Sequence, residues 1–409
     1  MHEIEEIINS IKDSGLYPDV PIVDGPATEP EMIIDGTKYL VFSSNNYLGM
    51  SSHPEVKKAM QAAVERYGLG SGGPRLLTGN IDIHNELECT VADYFKQEAA
   101  ICFNAGYMAN IGLIPALSNL IEVDLKSSVM TFAQDKILNG IETSIFSDRK
   151  NHGSIVDGVR LAKVEKFIYK HCDMSDLEVA LKKATGRRKI IITDGVFSMD
   201  GDIAPLDHIV ELAKQFEASL IVDDAHGIGV LGETGRGSFE HFNIDQNDEI
   251  VRMGTFTKAF GGVGGFVVGK RWLIDYLRIT ARTYLLSAPL PPVIAAGLKR
   301  SVELVAVADD RRETAWHNAE YFRNAVKGMG YNTVGSNTLI VPVIFGTDQA
   351  AMQATKILFK KGIIAPNVRY PAVEHGNSRI RFVMTSSYTK EQIDTLLNAL
   401  LDTKKELKL

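Results

Sequence analysis

Apolar positions along the chain fall into two alternating rhythms. Between Pro54 and Tyr67, Val56, Met60, Ala63, Val64 and Tyr67 share one face at helical spacing, which predicts a helix. Ile190–Thr193 is a short apolar run and predicts a buried strand. Pro205 then opens a helical pattern through Leu206, Ile209, Val210, Ala213 and Phe216. Leu220–Val222 and Ile250–Met253 predict further strands, and Gly265–Gly269 another of undetermined direction. Strands alternating with helices predict an α/β fold with a mostly parallel, doubly wound sheet.

The rhythm changes near residue 290. Pro291-Pro292 breaks the chain, and one long helical pattern runs on through Lys327. A strand over Leu339–Phe345, a helix over Asp348–Lys361, strands over Ile363–Val368 and Arg379–Met384, and a last helix follow. Thr389 with Gln392 three residues on is a capping-box signature for that helix. At the other end, Asp35-Gly36 predicts a hairpin turn. The division expected is an arm over 1–45, a large domain over 46–290 and a smaller α+β domain over 291–409.

Composition narrows the class. The chain has 409 residues, 45% hydrophobic and 23% charged, which excludes a mainly disordered chain or a coiled coil. Its longest apolar runs are far below the roughly 20 residues that span a bilayer. Met1–Ile8 is acidic and does not read as a signal peptide. Net charge is −7 without a basic stripe, so nucleic acid is not an expected partner. The three cysteines match neither a disulfide framework nor a metal pattern; no metal is expected, and a cytoplasmic location is.

In an open parallel sheet, ligands bind beyond the carboxyl ends of the strands. Three polar clusters fall at such ends: Asp194–Ser198, Asp223-Asp-Ala-His226 and Thr255-Phe-Thr-Lys258. Each step between them is about one strand–helix–strand unit. Singly, each has an ordinary reading: a helix cap, a satisfied loop histidine, a solvated lysine. Together they would deliver an acid, an acid with a histidine, and a lysine to one rim. A desolvated lysine can form a Schiff base, and a buried aspartate can keep a ring nitrogen protonated. Pyridoxal phosphate needs those two groups. Gly68–Gly73 matches G-x-G-x-x-G, but it follows a helix and argues poorly for a dinucleotide site. Asn104–Asn110 follows an apolar run and begins a helix; it reads equally as an ordinary strand-to-helix turn or as a start whose amides suit a phosphate.

The motifs Asn45–Gly49, Gly70–Gly73 with Thr78-Gly79, Asn104–Tyr107, Asn151–Ser154, Asp194–Gly201, Asp223–His226, Thr255–Lys258 and Arg379–Arg381 occur in this order. As a set the chain resembles the α-oxoamine synthases, pyridoxal-phosphate enzymes of fold type I. The resemblance implies a seven-stranded, mostly parallel sheet and a homodimer with shared active sites. It implies decarboxylating condensation of a small amino acid with an acyl thioester, giving an α-aminoketone. Transamination is the alternative on the same fold. Lys258 would carry the cofactor, Asp223 would pair with its ring nitrogen, His226 with its phenolic oxygen, and His152 would stack on the ring. Gly106, Tyr107, Thr255 and Thr257 would hold the phosphate, and Asp194 and Ser198 would shape the pocket. Asn45 and Arg381 would grip the substrate carboxylate, with Arg369 assisting there or meeting the acyl group.

Three features depart from the family pattern. An insertion near 120–145 is expected as a surface helix or lid, or as a neutral elaboration. Ala288 replaces a threonine, leaving Ser287 alone to reach a partner's phosphate. Tyr388 stands where a histidine is common. The amino acid, acyl length and acyl carrier stay open, although Gly72–Arg75 and Asp82–Glu88 lean toward the serine-using branch.

Overall fold

The computed structural model describes residues 2–14, 17, 22–120, 142–247 and 249–408. The insertion near 120–145 therefore lies almost wholly outside the described residues. Strands β1 (Glu31–Ile34) and β2 (Thr37–Val41) form the expected hairpin. Asp35 and Gly36 both take positive φ, 49° and 72°, as its tight turn requires.

Seven strands make the central sheet: β3 (Ala99–Phe103), β4 (Thr143–Asp148), β5 (Glu165–Tyr169), β6 (Arg188–Asp194), β7 (Ala218–Asp223), β8 (Ile250–Thr255) and β9 (Gly265–Gly269). Their order is β3-β9-β8-β7-β6-β4-β5. All neighbouring pairs are parallel except those of β9, which runs antiparallel to both β8 and β3. The strand interiors read as unbroken apolar runs because both faces are covered. Ile190 and Ile192 of β6 pack with Leu113, Ile155 and Ile274 on one face. Ile191, between them, packs with Leu177, Leu206 and Ile209 on the other.

A second antiparallel sheet follows, ordered β10 (Ile340–Gly346), β13 (Ser378–Val383), β12 (Asn367–Val368). Here the chain departs from two expectations. The predicted strand over Ile363–Val368 is split, because Pro366 has no N–H for a ladder. Its first part, β11 (Ile363–Ile364), joins β2 in parallel, while β12 pairs with β13. The long helical pattern before Lys327 is likewise two helices, Pro292–Val305 and Asp309–Gly328. The acidic pair Asp309 and Asp310 opens the second, which favours a new helix start there. The last helix, Lys390–Leu407, carries the expected Thr389/Gln392 capping box. No helix among the described residues is long and apolar enough to cross a membrane.

Candidate active site

The parallel register places Asp194 beside Asp223 at the ends of β6 and β7, with the end of β8 alongside. Strand twist and hydrogen bonding thus bring the three sequence clusters to one rim. Asp223 is buried; its Oδ1 accepts the Ala225 N–H at 3.0 Å and its Oδ2 accepts from Asn110 Nδ2 at 2.8 Å. Lys258, three residues past β8, is half-buried beside Asp223 and Asp194. Loss of water lowers its pKa, against the pull of Asp223 and Asp194. That makes its amine a better nucleophile than a solvated lysine. Burial, reinforced by the Asp223 charge, holds the Asp194 carboxyl well above the usual range. Its Oδ2 accepts the His152 N–H at 2.7 Å.

His152 caps the helix Gly153–Ala162, so its ring is held at a helix start. Its Nδ1 accepts from the Ser154 N–H at 3.2 Å and lies 2.8 Å from Ser154 Oγ. Desolvation lowers its pKa, which favours the neutral ring. His226 is buried more deeply. Burial, then the positive charges of Lys258 and Arg381, push its pKa well below the ordinary value. Tyr47 Oη lies 2.7 Å from His226 Nδ1. Burial raises the Tyr47 phenol to about 12, so it keeps its proton; with that proton given to His226 Nδ1, the ring carries its own on Nε2. No role was expected for Tyr47, although it lies inside the quoted Asn45–Gly49 motif.

The helix Gly106–Ser118 begins at the same rim with no side-chain cap on its first amides. A Cβ on Gly106 would stand 3.1 Å from Thr255 Oγ1, so a hydroxyl fills the space that glycine leaves. Thr255 Oγ1 and Thr257 Oγ1 are 3.0 Å apart. Free helix-start amides beside two hydroxyls make a cradle for a phosphate dianion. The Tyr107 side chain turns outward to Asp157, leaving its backbone in the cradle. A lysine, a buried aspartate, a neutral histidine and this cradle fit pyridoxal phosphate.

Arg381 projects from β13 onto the same pocket. It donates to the Ser198 carbonyl through Nε and to Asn45 Oδ1 at 3.1 Å through Nη2. Ser198 thus contributes its backbone to this grip. Arg369 is not brought into that group: among the described residues its Nη1 sits 3.1 Å from Met352 Sδ. Ser287 Oγ accepts from Asn104 Nδ2 at 3.1 Å, and both residues are half-buried. Tyr388 is a packing residue, buried against Phe42 and donating to the Val41 carbonyl at 2.6 Å.

Two charged groups support the rim. His171 bridges Asp148 Oδ1 at 3.0 Å and Asp202 Oδ2 at 2.8 Å. Burial opposes its charge, but the two carboxylates outweigh that and raise its pKa to about 11. Asp200 receives Lys150 Nζ at 2.5 Å and the Arg379 guanidinium, and these bonds overcome its burial to lower its pKa.

The family model for aminotransferase class I and II matches residues 37–400. The chain is 41% identical over 406 residues to an 8-amino-7-oxononanoate synthase of Thermoanaerobacter pseudethanolicus, covering 99% of this chain and 97% of that one. It is 42% identical over 391 residues to the synthase of that name from Thermosipho melanesiensis, covering 95% and 94%. A solved serine palmitoyltransferase with its PLP internal aldimine superposes with a TM-score of 0.89 at 29% identity, covering 99% of this chain and 98% of that one. The chain belongs to the α-oxoamine synthases, within the class I and II aminotransferase family. It is a pyridoxal-phosphate-dependent acyltransferase of fold type I that condenses an amino acid with an acyl thioester and releases CO2.

Proposed function

We propose that the amino acid is alanine and the acyl group a seven-carbon dicarboxylic chain, joined to give 8-amino-7-oxononanoate. The observation carrying this is the shared name of relatives more than 40% identical over nearly the whole chain. Carbon counting from that product does the rest. Its terminal methyl and aminated carbon are what alanine leaves after losing its carboxylate. The keto carbon and the chain beyond it are the acyl group.

In this reading Arg381 and Asn45 hold the alanine carboxylate, the guanidinium offering a fork to both oxygens. Lys258 carries the cofactor and later moves the Cα proton. Asp223 keeps the ring nitrogen protonated, His226 donates Nε2–H to the phenolic oxygen, and His152 lies on the ring face. The amides of Gly106 and Tyr107 and the hydroxyls of Thr255 and Thr257 take the phosphate. Asp194 and Ser198 shape the pocket, and Arg369 meets the acyl substrate. When bound, pyridoxal phosphate supplies the electron sink; the protein sets which bond stands perpendicular to it.

A second copy of the chain completes the site, with Ser287 reaching its phosphate. Supporting this, Leu69, Leu76, Leu77 and Leu286 are exposed apolar residues. Arg75 lies over the Tyr284 ring at 5.7 Å, tying the two segments that carry them. The three cysteines are free, which suits a cytoplasmic protein. The organisation is an arm over 1–45, a cofactor domain over 46–290 and a small domain over 291–409.

Alanine, glycine and serine should each be titrated into the yellow protein, followed by an acyl-thioester panel with mass detection of the aminoketone. Alanine with a seven-carbon dicarboxylic thioester should give the fastest turnover. Faster turnover with serine and a long monocarboxylic thioester would overturn the substrate assignment.

A further inference from the structure

The helix Gly106–Ser118 does more than present its first amides. Asn110 lies four residues after Gly106, so it stands on the same face about one turn along, about 6 Å farther down the axis. It is fully buried. Its Nδ2 donates to Asp223 Oδ2 at 2.8 Å and to Ser154 Oγ at 2.8 Å. A carboxylate has no proton to give, so the amide face toward Asp223 must be the nitrogen. Both hydrogens of that nitrogen are then committed. Ser154 Oγ accepts one of them and lies 2.8 Å from His152 Nδ1; that nitrogen accepts the Ser154 backbone N–H and carries no hydrogen, so the hydroxyl is the donor to it. Asn110 Oδ1 has no hydrogen-bond partner among the described residues, so nothing on that side competes to turn the amide over.

The packing around this network is close. A Cβ on Gly158 would lie 3.1 Å from the Asn110 carbonyl and 2.8 Å from Ile114 Cδ1. Glycine there lets the helices Gly106–Ser118 and Gly153–Ala162 approach until Asn110 reaches Ser154.

We propose that Asn110 is a positioning residue that fixes two partners of the cofactor ring at once. Directly, it orients the Asp223 carboxylate. Through the Ser154 hydroxyl it steadies the ring of His152, whose Nδ1 accepts the Ser154 backbone N–H and whose proton is therefore on Nε2. This rests on the roles given above to Asp223 and His152. One helix would then meet the cofactor at both ends: its first amides at the phosphate, and Asn110 behind the partner of the ring nitrogen. The titratable and charged groups facing this network are Lys258, Asp194, Asp224 and His152 itself.

The test compares cofactor affinity and the pH titration of the visible band in four full-length proteins: wild type, Asn110→Leu, Asn110→Asp and Ser154→Ala. Asn110→Leu should weaken equilibrium binding of pyridoxal phosphate by about tenfold to a hundredfold, the loss of one bond to a charged acceptor. Its band should also titrate at a shifted pH. Asn110→Asp keeps the shape and tests the donor. At low pH a proton shared by the introduced carboxyl and Asp223 restores the bond, and as pH rises the two carboxylates repel. Its affinity should therefore fall with pH relative to wild type. Ser154→Ala should leave affinity within about threefold, because the arm to Asp223 is intact, yet alter the band through His152. If Asn110→Leu does not fold, the pH-dependent affinity of Asn110→Asp decides alone. Wild-type affinity and band titration in both Asn110 variants would overturn the proposal. A wild type that binds no pyridoxal phosphate would instead overturn the function itself.

Discussion

Arg379 and Arg381 stand two residues apart on β13 and grip consecutive parts of one loop. Arg381 donates to the Ser198 carbonyl, while Arg379 donates to the Met199 carbonyl at 3.1 Å and to the Asp200 carboxylate. The period of a strand puts both side chains on one face. One arginine faces the pocket and the other fastens the loop that the first one uses.

Removing Asp200 leaves the buried Arg379 guanidinium without a carboxylate, at a cost of about 3–5 kcal/mol, whereas removing Arg379 costs less because Lys150 still pairs with Asp200. Asp200→Leu should therefore lower unfolding stability by that order. The double variant Arg379→Met/Asp200→Leu should recover much of the loss. Denaturant unfolding of the single and double variants checks this. Additive losses would show that the pair is not coupled.

His171 gives a pH signature. Its folded pKa, about 11, lies above the ordinary histidine value, so its contribution is fully present below about pH 6.5 and fades as pH rises toward 11. Across that window folding takes up one proton, and stability should fall by about 1.4 kcal/mol per pH unit from this residue. His171→Gln should flatten that slope. Unfolding measured from pH 6 to 9 reads the difference directly.

Tyr47→Phe keeps the buried ring and removes only the hydroxyl that meets His226 Nδ1. The folded protein should lose about 1 kcal/mol. Pyridoxal phosphate should bind more weakly, because His226 is no longer held to one tautomer. Because the phenol titrates only at about 12, the deficit should be the same at every working pH. Cofactor titration at pH 6.5 and 8.5 tests this, and a deficit confined to one of them would contradict it.

Gly265→Ala tests the phosphate cradle from behind. A Cβ there would fall 2.6 Å from Gly106 Cα and 2.9 Å from the Ala105 carbonyl, both backbone. The start of the helix must move, and overpacking of this kind costs about 1–3 kcal/mol. Cofactor affinity should drop together with thermal stability. An unchanged affinity would place the phosphate elsewhere.

The strand ends were legible because parallel strands repeat at a regular chain spacing and end at one rim. Asp194, Asp223 and Lys258 followed from that rule alone. The capping box, the hairpin and the helix over Pro54–Tyr67 were equally local and were read correctly. What escaped depends on distance in the chain. Tyr47 meets His226 across 179 residues, and Asn110 meets Asp223 across 113. Asn110 did leave one trace: it is a lone amide in the otherwise apolar stretch Met108–Leu117, where burial demands partners. Arg369 was read from the family pattern alone, since it lies in a loop just past β12 that no strand-end rule reaches.

The antiparallel β9 has a consequence for synthesis. β3 is made early, yet its one partner in the central sheet is β9, more than 160 residues later. Chains growing from a ribosome fold as their units emerge. Until β9 is out, β3 and the helix it feeds have no neighbour on that edge. Arg381 emerges later still, more than 100 residues after β9. A nascent chain can thus assemble its strand ends well before Arg381 is there to join Asn45 to the Ser198 carbonyl.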